Sequence, residues 1–158
     1  METKLMAGAF LRYDNKVLLM KRGLNKTLNP GKWAPIGGHL EPHEMNSPTT
    51  ACLREIFEET GINSDNIIDF RMKYIIVRNN NSLIYINYLF VGKLNHLTEL
   101  IDCSEGSLHW VDYDSLPGYD MSFSIVEACK HLVNSINDMS VVLGAVNFDN
   151  TKISWNEL

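Results

Sequence analysis

Three glutamates, Glu55, Glu58 and Glu59, crowd into one short stretch of this sequence. On a helix each residue advances about 100°, so Glu59 falls roughly 40° from Glu55 and Glu58 roughly 60° to its other side. Three carboxylates then share one face. Like charges at this spacing destabilise an isolated helix by about 0.2–0.5 kcal/mol per pair, and glutamates near a helix C-terminus oppose the dipole. Such a cluster calls for compensation. Hard divalent cations with oxygen ligands supply it, and magnesium is the usual ion where the ligand also carries phosphates, with manganese as the alternative. The competing reading is a solvated acidic face. Against it stands the preceding segment Gly37-Gly38-His39-Leu40-Glu41-Pro42-His43-Glu44, which adds paired glycines and a fourth carboxylate, Glu44. Arg54, four residues before Glu58, is spaced to pair with one carboxylate and orient it.

The elements that must hold these groups follow from hydrophobic periodicity. Leu5 to Tyr13 reads as a strand, Asp14-Asn15 as a tight turn and Lys16 to Arg22 as the hairpin partner. Gly23 to Lys32 reads as a loop, and Trp33 to Leu40 as a short extended piece. Pro48 to Thr60 is helical, with Leu53, Ile56, Phe57 and Thr60 on its apolar side, Ser47 as N-cap, Pro48 at the first helical position and Gly61 as the stop. Ile67 to Arg78 and Leu83 to Leu94 form a second hairpin around Asn79-Asn80-Asn81-Ser82. A loop, Asn95 to Gly106, leads to a strand at Leu108–Val111 and a turn at Leu116-Pro117-Gly118. Phe123 to Ile136 repeats at helical spacing, and the tail, from about residue 138 to 158, suggests a small hairpin of Val141–Phe148 and Lys152–Trp155 around Asp149-Asn150. No repeat or linker interrupts the chain, which reads as one domain over residues 1–158. Strands on both sides of one central helix, then a terminal helix, predict an α/β chain of the α+β type: a mixed β-sheet sandwiched between helices.

Composition narrows the class. The chain has 158 residues, 45% hydrophobic and 21% charged, which suits an ordinary globular core. A net charge of −5 argues against a broad basic surface for a nucleic acid polymer. It is compatible with a small anionic substrate, because bound metal reverses the local sign. Cys52, Cys103 and Cys129 are widely spaced and odd in number, which fits reduced thiols better than a disulfide framework or zinc site. Neither Cys52 nor Cys103 has a visible base partner, so a thiol nucleophile is not expected. No signal-peptide pattern and no membrane-spanning apolar run is seen. A cytoplasmic protein that meets no membrane is predicted, as a monomer or a homodimer.

The spacing Gly38, five residues, Glu44, then Arg54-Glu55-Ile56-Phe57-Glu58-Glu59-Thr60-Gly61-Ile62 resembles the Nudix box, with every named position filled between residues 38 and 62. One departure stands out: nine residues, Met45 to Leu53, separate Glu44 from Arg54 where the family has seven. The loop before Pro48 is the natural place for the extra pair, which leaves the helix register intact but shifts Glu44 relative to the helical carboxylates. Pro30-Gly31-Lys32-Trp33-Ala34-Pro35-Ile36-Gly37-Gly38 is similar to the family's approach to its box, and His109-Trp110-Val111 with Leu116-Pro117 to its later strand and turn. The resemblance covers roughly Leu5 to Ile136.

The resemblance implies the Nudix fold and a MutT-like hydrolase that cuts a diphosphate linkage in a nucleoside diphosphate carrying another group. In build the chain is nearest to the oxidised-nucleotide triphosphatases, which release a monophosphate and pyrophosphate. ADP-ribose, sugar nucleotides and dinucleoside polyphosphates stay open as substrates, as does a non-catalytic nucleotide-sensing module; a prenyl diphosphate isomerase fits poorly. The implied metal ligands are Glu44, Glu55, Glu58 and Glu59. Glu55 and Glu58 both qualify as acceptor of the water proton, and Arg54 as their orienter. Glu105 is the candidate for an extra carboxylate from a later loop, with Glu99 second and a solvated loop residue as the alternative. Gly37, Gly38, Trp33 and His39 are the candidates for touching substrate. His39 and His43 read equally as semi-exposed loop residues, and Trp110 as a core anchor.

Overall fold

In β1 (Glu2–Tyr13) and β2 (Lys16–Arg22) alternate side chains enter two different cores, as the twofold period of a strand requires. Ala7, Ala9 and Leu11 with Leu18 and Met20 face one core; Phe10 with Val17 and Leu19 faces the other. The structure is a computed structural model that describes residues 1–158. A mixed sheet of nine strands separates the two cores.

Two strands follow the loop after β2. Pro35 divides the expected extended piece into β3 (Trp33–Ala34) and β4 (Ile36–His39), since proline has no N–H to donate to a ladder. Next come a 3-10 turn at Pro42–Glu44 and the helix α1 (Pro48–Thr60). The hairpin β5 (Ile67–Asn80) and β6 (Leu83–Leu94) is longer than the spacing predicts, because only Asn81-Ser82 form its turn. Strand β7 (Gly106–Asp112) leads through a 3-10 segment, Tyr113–Gly118, to α2 (Phe123–Leu132). The tail folds as β8 (Val142–Val146) and β9 (Ile153–Glu157).

The strand order is β3-β2-β1-β6-β5-β8-β9, with β4 on β1 and β7 on β2. β1 runs parallel to β6 from Glu2 to Arg12, and antiparallel to β4 over Met6–Ala9 and to β2 over Leu11–Tyr13. The glutamate-rich box is therefore anchored mid-sheet: its glycines lie on β4, opposite Ala7 and Gly8. At Gly37 an added Cβ would lie 2.0 Å from the Ala7 carbonyl oxygen and 2.5 Å from Gly8 Cα, so only glycine lets the two strands meet here.

α1 begins and ends where the sequence predicts. Pro48 opens it and Gly61 closes it at φ 76, donating its N–H to the Phe57 carbonyl at 2.9 Å. Ser47 is the N-cap residue, but its hydroxyl pairs with Thr50 Oγ1 at 2.7 Å rather than with a backbone N–H. The helix buries Ala51, Cys52, Ile56, Glu59 and Thr60 against the sheet. Ile56 alone contributes about 1.5–3 kcal/mol of apolar burial. The face differs from the expected one: Phe57 is 56% exposed, while Glu59 is buried.

On the opposite face α2 packs Ile125, Ala128, Cys129 and Leu132. It stops at Leu132, four residues short of the predicted Ile136. Past it the chain tightens into i+3 turns, with Asn134 N–H to His131 O and Ser135 N–H to Leu132 O. No helix is long and apolar enough to cross a membrane.

Candidate active site

The end of β4 and the face of α1 enclose a cleft of about 770 Å³. Gly37, Gly38 and His39 form one wall; Arg54, Glu55, Glu58 and Glu59 form the second; the loop Asp102–Glu105 forms the third. Sequence separations of up to 68 residues thus converge because β4 pairs with β1 beneath α1, while β7 on β2 brings in the loop before it.

Arg54 organises the acidic wall. Its Nε donates to Glu44 Oε1 at 2.7 Å and its Nη2 to Glu44 Oε2 at 2.9 Å, a bidentate pair. Its Nη1 reaches Glu55 Oε1 at 2.9 Å and Glu58 Oε2 at 3.0 Å, and Nη2 also donates to the His39 carbonyl at 3.1 Å. Orientation of these carboxylates by Arg54, expected from spacing with Glu58 alone, thus extends to three acids. The nine intervening residues do not pull Glu44 out of range.

Glu44 is 2% exposed, and besides Arg54 it accepts the Glu41 N–H at 2.9 Å. The Arg54 guanidinium holds its carboxyl down to about 2. Both oxygens are engaged, so in this arrangement Glu44 serves Arg54 rather than facing the cleft with the helical acids. With Glu41 and His43 it also forms a set whose ligand atoms lie within 4.8 Å of one another, but Glu41 and His43 are exposed and the set closes the 3-10 turn as a capping box.

Glu59 is the opposite case. Its one hydrogen bond comes from the Gly37 N–H to Oε2 at 3.1 Å. Burial, reinforced by the neighbouring Glu55 charge, pushes its carboxyl up to about 8. Burial raises Glu55 as well, against the pull of Arg54. Gly38 explains how Glu55 sits so close: a Cβ there would lie 2.7 Å from Glu55 Cδ and Oε1. The paired glycines therefore have separate tasks, one for strand packing and one for a carboxylate. Glu58 stays more open, its side chain 54% exposed.

Glu105 lines the cleft opposite these acids, with Lys26 Nζ at 3.3 Å and Arg22 Nη2 at 4.0 Å. Glu99 does not line it. His39 is exposed on the rim, whereas Trp33 lies away from the cleft: it is packed edge-on between His109 and Tyr119 beside the α2-side core. Trp33, a candidate for touching substrate, therefore does not line this cleft. Trp110 is half-buried against the α1-side core, as predicted. Cys52 is buried and its thiol is pushed up by burial, which removes it as a nucleophile.

Two charged lining residues, Arg22 and Asp102, carry no signature in the sequence motifs. Arg22 ends β2 and lines both this cleft and a smaller neighbouring cavity of about 120 Å³, where Arg78, Tyr85 and Asn87 also sit. Its signal was the strand end directly before a glycine-rich loop.

The carboxylates of Glu55 and Glu59, both pushed up by burial, with Glu58 beside them, match the donor set of a hard divalent cation. Comparison with known proteins agrees. The model of the NUDIX domain matches residues 3–128. A 49-residue stretch is 41% identical to the cow protein m7GpppN-mRNA hydrolase NUDT17, covering 31% of this chain and 16% of that protein. Among solved structures, the MutT protein of Bacillus halodurans superposes with a TM-score of 0.73 at 21% identity, over 98% of this chain and 97% of that one. The MutT protein of Methanosarcina mazei Go1 gives 0.70 at 21% identity, over 87% and 96%. These two share the fold. A box whose helical carboxylates gather on one cleft, and a family model spanning residues 3–128, lead to one conclusion: this chain belongs to the NUDIX family.

Proposed function

We propose that the chain hydrolyses a nucleoside triphosphate, including oxidised ones, to the monophosphate and pyrophosphate, with magnesium as the working ion and manganese as a substitute. The observation that carries this reading is the cleft itself, where Glu55, Glu58 and Glu59 face Arg22 and Glu105 across a space of about 770 Å³. Glu55, Glu58 and Glu59 would hold the ions. Bound there, divalent ions offset the phosphoryl charge and lower the pKa of bound water.

The chain's own groups do the rest. Arg54 fixes the directions of Glu55 and Glu58, and Glu44 fixes Arg54. The Gly37 N–H fixes Glu59. Glu55 and Glu58 are the candidates to take the water proton, with Glu105 as a further carboxylate from the later loop; interacting carboxylates share such a proton as a set. Arg22, spanning the acidic cleft and the smaller cavity, is placed to pair with a substrate phosphate, while Tyr85 and Asn87 offer a flat ring and an amide to a base. His39 on the rim and the backbone of Gly37 and Gly38 complete the substrate side.

A dinucleoside polyphosphate is the second reading, favoured by the local match to an mRNA cap hydrolase. We read residues 1–158 as one domain, and the three free cysteines support a cytoplasmic location.

Nucleoside triphosphates, ADP-ribose and diadenosine polyphosphates, assayed with magnesium for released phosphate products, separate these readings. Glu58→Gln is expected to lower turnover by about 10³-fold while circular dichroism stays native. Normal turnover in that variant defeats the catalytic assignment, and preference for a dinucleoside polyphosphate selects the second reading.

A further inference from the structure

Met6 and Arg12 lie on the same strand, β1, but line different spaces: Met6 the acidic cleft, Arg12 a cavity of about 590 Å³. At about 3.3 Å per residue they are roughly 20 Å apart. The two cavities have no residue in common.

Strand register builds the second one. Arg12 pairs with Lys93 across β1–β6, and Val91 with Arg71 across β6–β5. Paired residues share a face, as do Val91 and Lys93 two positions apart. Arg12, Lys93 and Arg71 therefore stand in a row on one face of three adjacent strands. Val91 belongs to the α2-side core, so this is the face that α2 covers, and beyond the end of α2 the residues Ile136, Asn137 and Met139 close over the row.

The two arginines in it lack ion-pair partners. Arg12 stacks over the Tyr113 ring with Cζ 4.3 Å from the centroid, and its buried Nε has no hydrogen-bond acceptor. Arg71 donates through Nη2 to the carbonyls of Ile136 at 2.9 Å and Asp138 at 3.1 Å, while its buried Nη1 has no acceptor. Neither guanidinium forms a salt bridge, although acids outnumber bases 19 to 14 in the chain. Lys93 reaches only Asp69, at 3.4 Å. Three cations thus line the cavity with one carboxylate; Lys93 and Asp69 are exposed, while the half-buried arginines keep a buried N–H each without an acceptor, although buried polar groups are ordinarily paired.

The backbone is also shaped here. Between the pairs Ile68↔Lys93 and Arg71↔Val91, Asp69 and Phe70 stand against Gly92 alone, a bulge with Asp69 in the left-handed region at φ 54. Bulges re-aim side chains, and strained residues gather at binding sites. A Cβ on Gly92 would come within 3.0 Å of the Phe70 ring, so glycine lets that ring stack on Phe90 on the opposite, α1-side face of the sheet, and the bulge leaves the α2-side face to the cations.

We propose that the cavity between β1, β6, the β5 bulge and the segment after α2 is a second ligand site, which binds a small phosphate-bearing anion through Arg12, Arg71 and Lys93. Guanidinium forks match phosphate oxygens in pairs. Val91 and Met139 offer an apolar wall to an organic group on the phosphate.

Calorimetric titration of the full chain in EDTA, with inorganic phosphate and separately with AMP, tests this, and amide chemical shifts locate the binding. The expected result is saturable binding that weakens with salt, with shifts at Asp69–Arg71 and Gly92. Arg12→Gln and Lys93→Gln should each weaken it about tenfold or more. Tighter binding of AMP supports the site with an organic ligand, and equal binding supports it with phosphate alone. Should Arg12→Gln fail to fold, Lys93→Gln, which removes only a contact to exposed Asp69, carries the test. Absence of binding by either probe overturns the proposal. So does unchanged affinity in the folded variants, or shifts confined to Gly37–Glu59.

Discussion

Two buried glutamates in neighbouring parts of the box carry opposite electrostatics. In the turn after β4, Glu44 meets a guanidinium in bidentate geometry and a backbone N–H, and its carboxyl is held down to about 2. At the end of α1, Glu59 has one N–H and a carboxylate neighbour, and its carboxyl is pushed up to about 8. Burial is nearly the same, at 2% and 7% exposure. What differs is the partner. A carboxylate satisfied from within the chain is a structural part; one left short of positive charge is ready for a cation.

The strongest way to break the comparison is to remove the shared guanidinium. Arg54→Met strands Glu44 as a buried unpaired charge and frees Glu55 and Glu58. The melting temperature is expected to fall by more than ~5 °C, with activity lost. A stable variant would mean that Glu44 does not need Arg54.

Gly38→Ala acts on the other side of the cleft. A Cβ 2.7 Å from the Glu55 carboxyl displaces that group while the strand pairing survives. Turnover is expected to drop about 100-fold with little change in melting temperature. Equal loss of stability and activity would show that Gly38, like Gly37, serves packing.

Glu59→Gln sharpens the comparison through pH. A carboxyl whose folded pKa lies above its unfolded value favours folding below about pH 4.5, and that contribution is lost as pH rises toward 8. Metal-free Glu59→Gln is therefore expected to melt ~3 °C or more above wild type at pH 8, and level with it at pH 4.5. Magnesium should reverse the order at pH 8 by stabilising the wild type more. No pH dependence in the difference would mean that Glu59 is already compensated.

The smallest effect belongs to Phe57. Exposed on α1, it is expected to tolerate Phe57→Ala within ~0.5 kcal/mol by urea unfolding. A loss several times larger would return it to the packed face.

Local signals in the sequence carried far. Pro48 and Gly61 delimit α1 because each fixes or permits one backbone geometry regardless of surroundings. The hairpins β1–β2, β5–β6 and β8–β9 follow from turn residues between alternating strands. The spacing of Gly38, Glu44, Arg54, Glu55, Glu58 and Glu59 was enough to indicate a family, because a helix converts spacing into direction. It was not enough to divide labour among them. Which glutamate a guanidinium would claim, which side of α1 would be buried, and that Phe57 would stay outside while Glu59 went in, all depend on how far α1 rolls against β4.

Long-range pairing was beyond reach. Parallel β1 and β6 lie more than eighty residues apart, and their register alone puts Arg12 beside Lys93. That Arg22 lines the cleft and Trp33 does not has the same cause, since neither sits in a pattern that states its neighbours. The sequence by itself determined the elements, their ends and the acids; the tertiary structure decided which charges meet. Backbone preference is a local property, whereas an ion pair exists only where two distant segments are packed together.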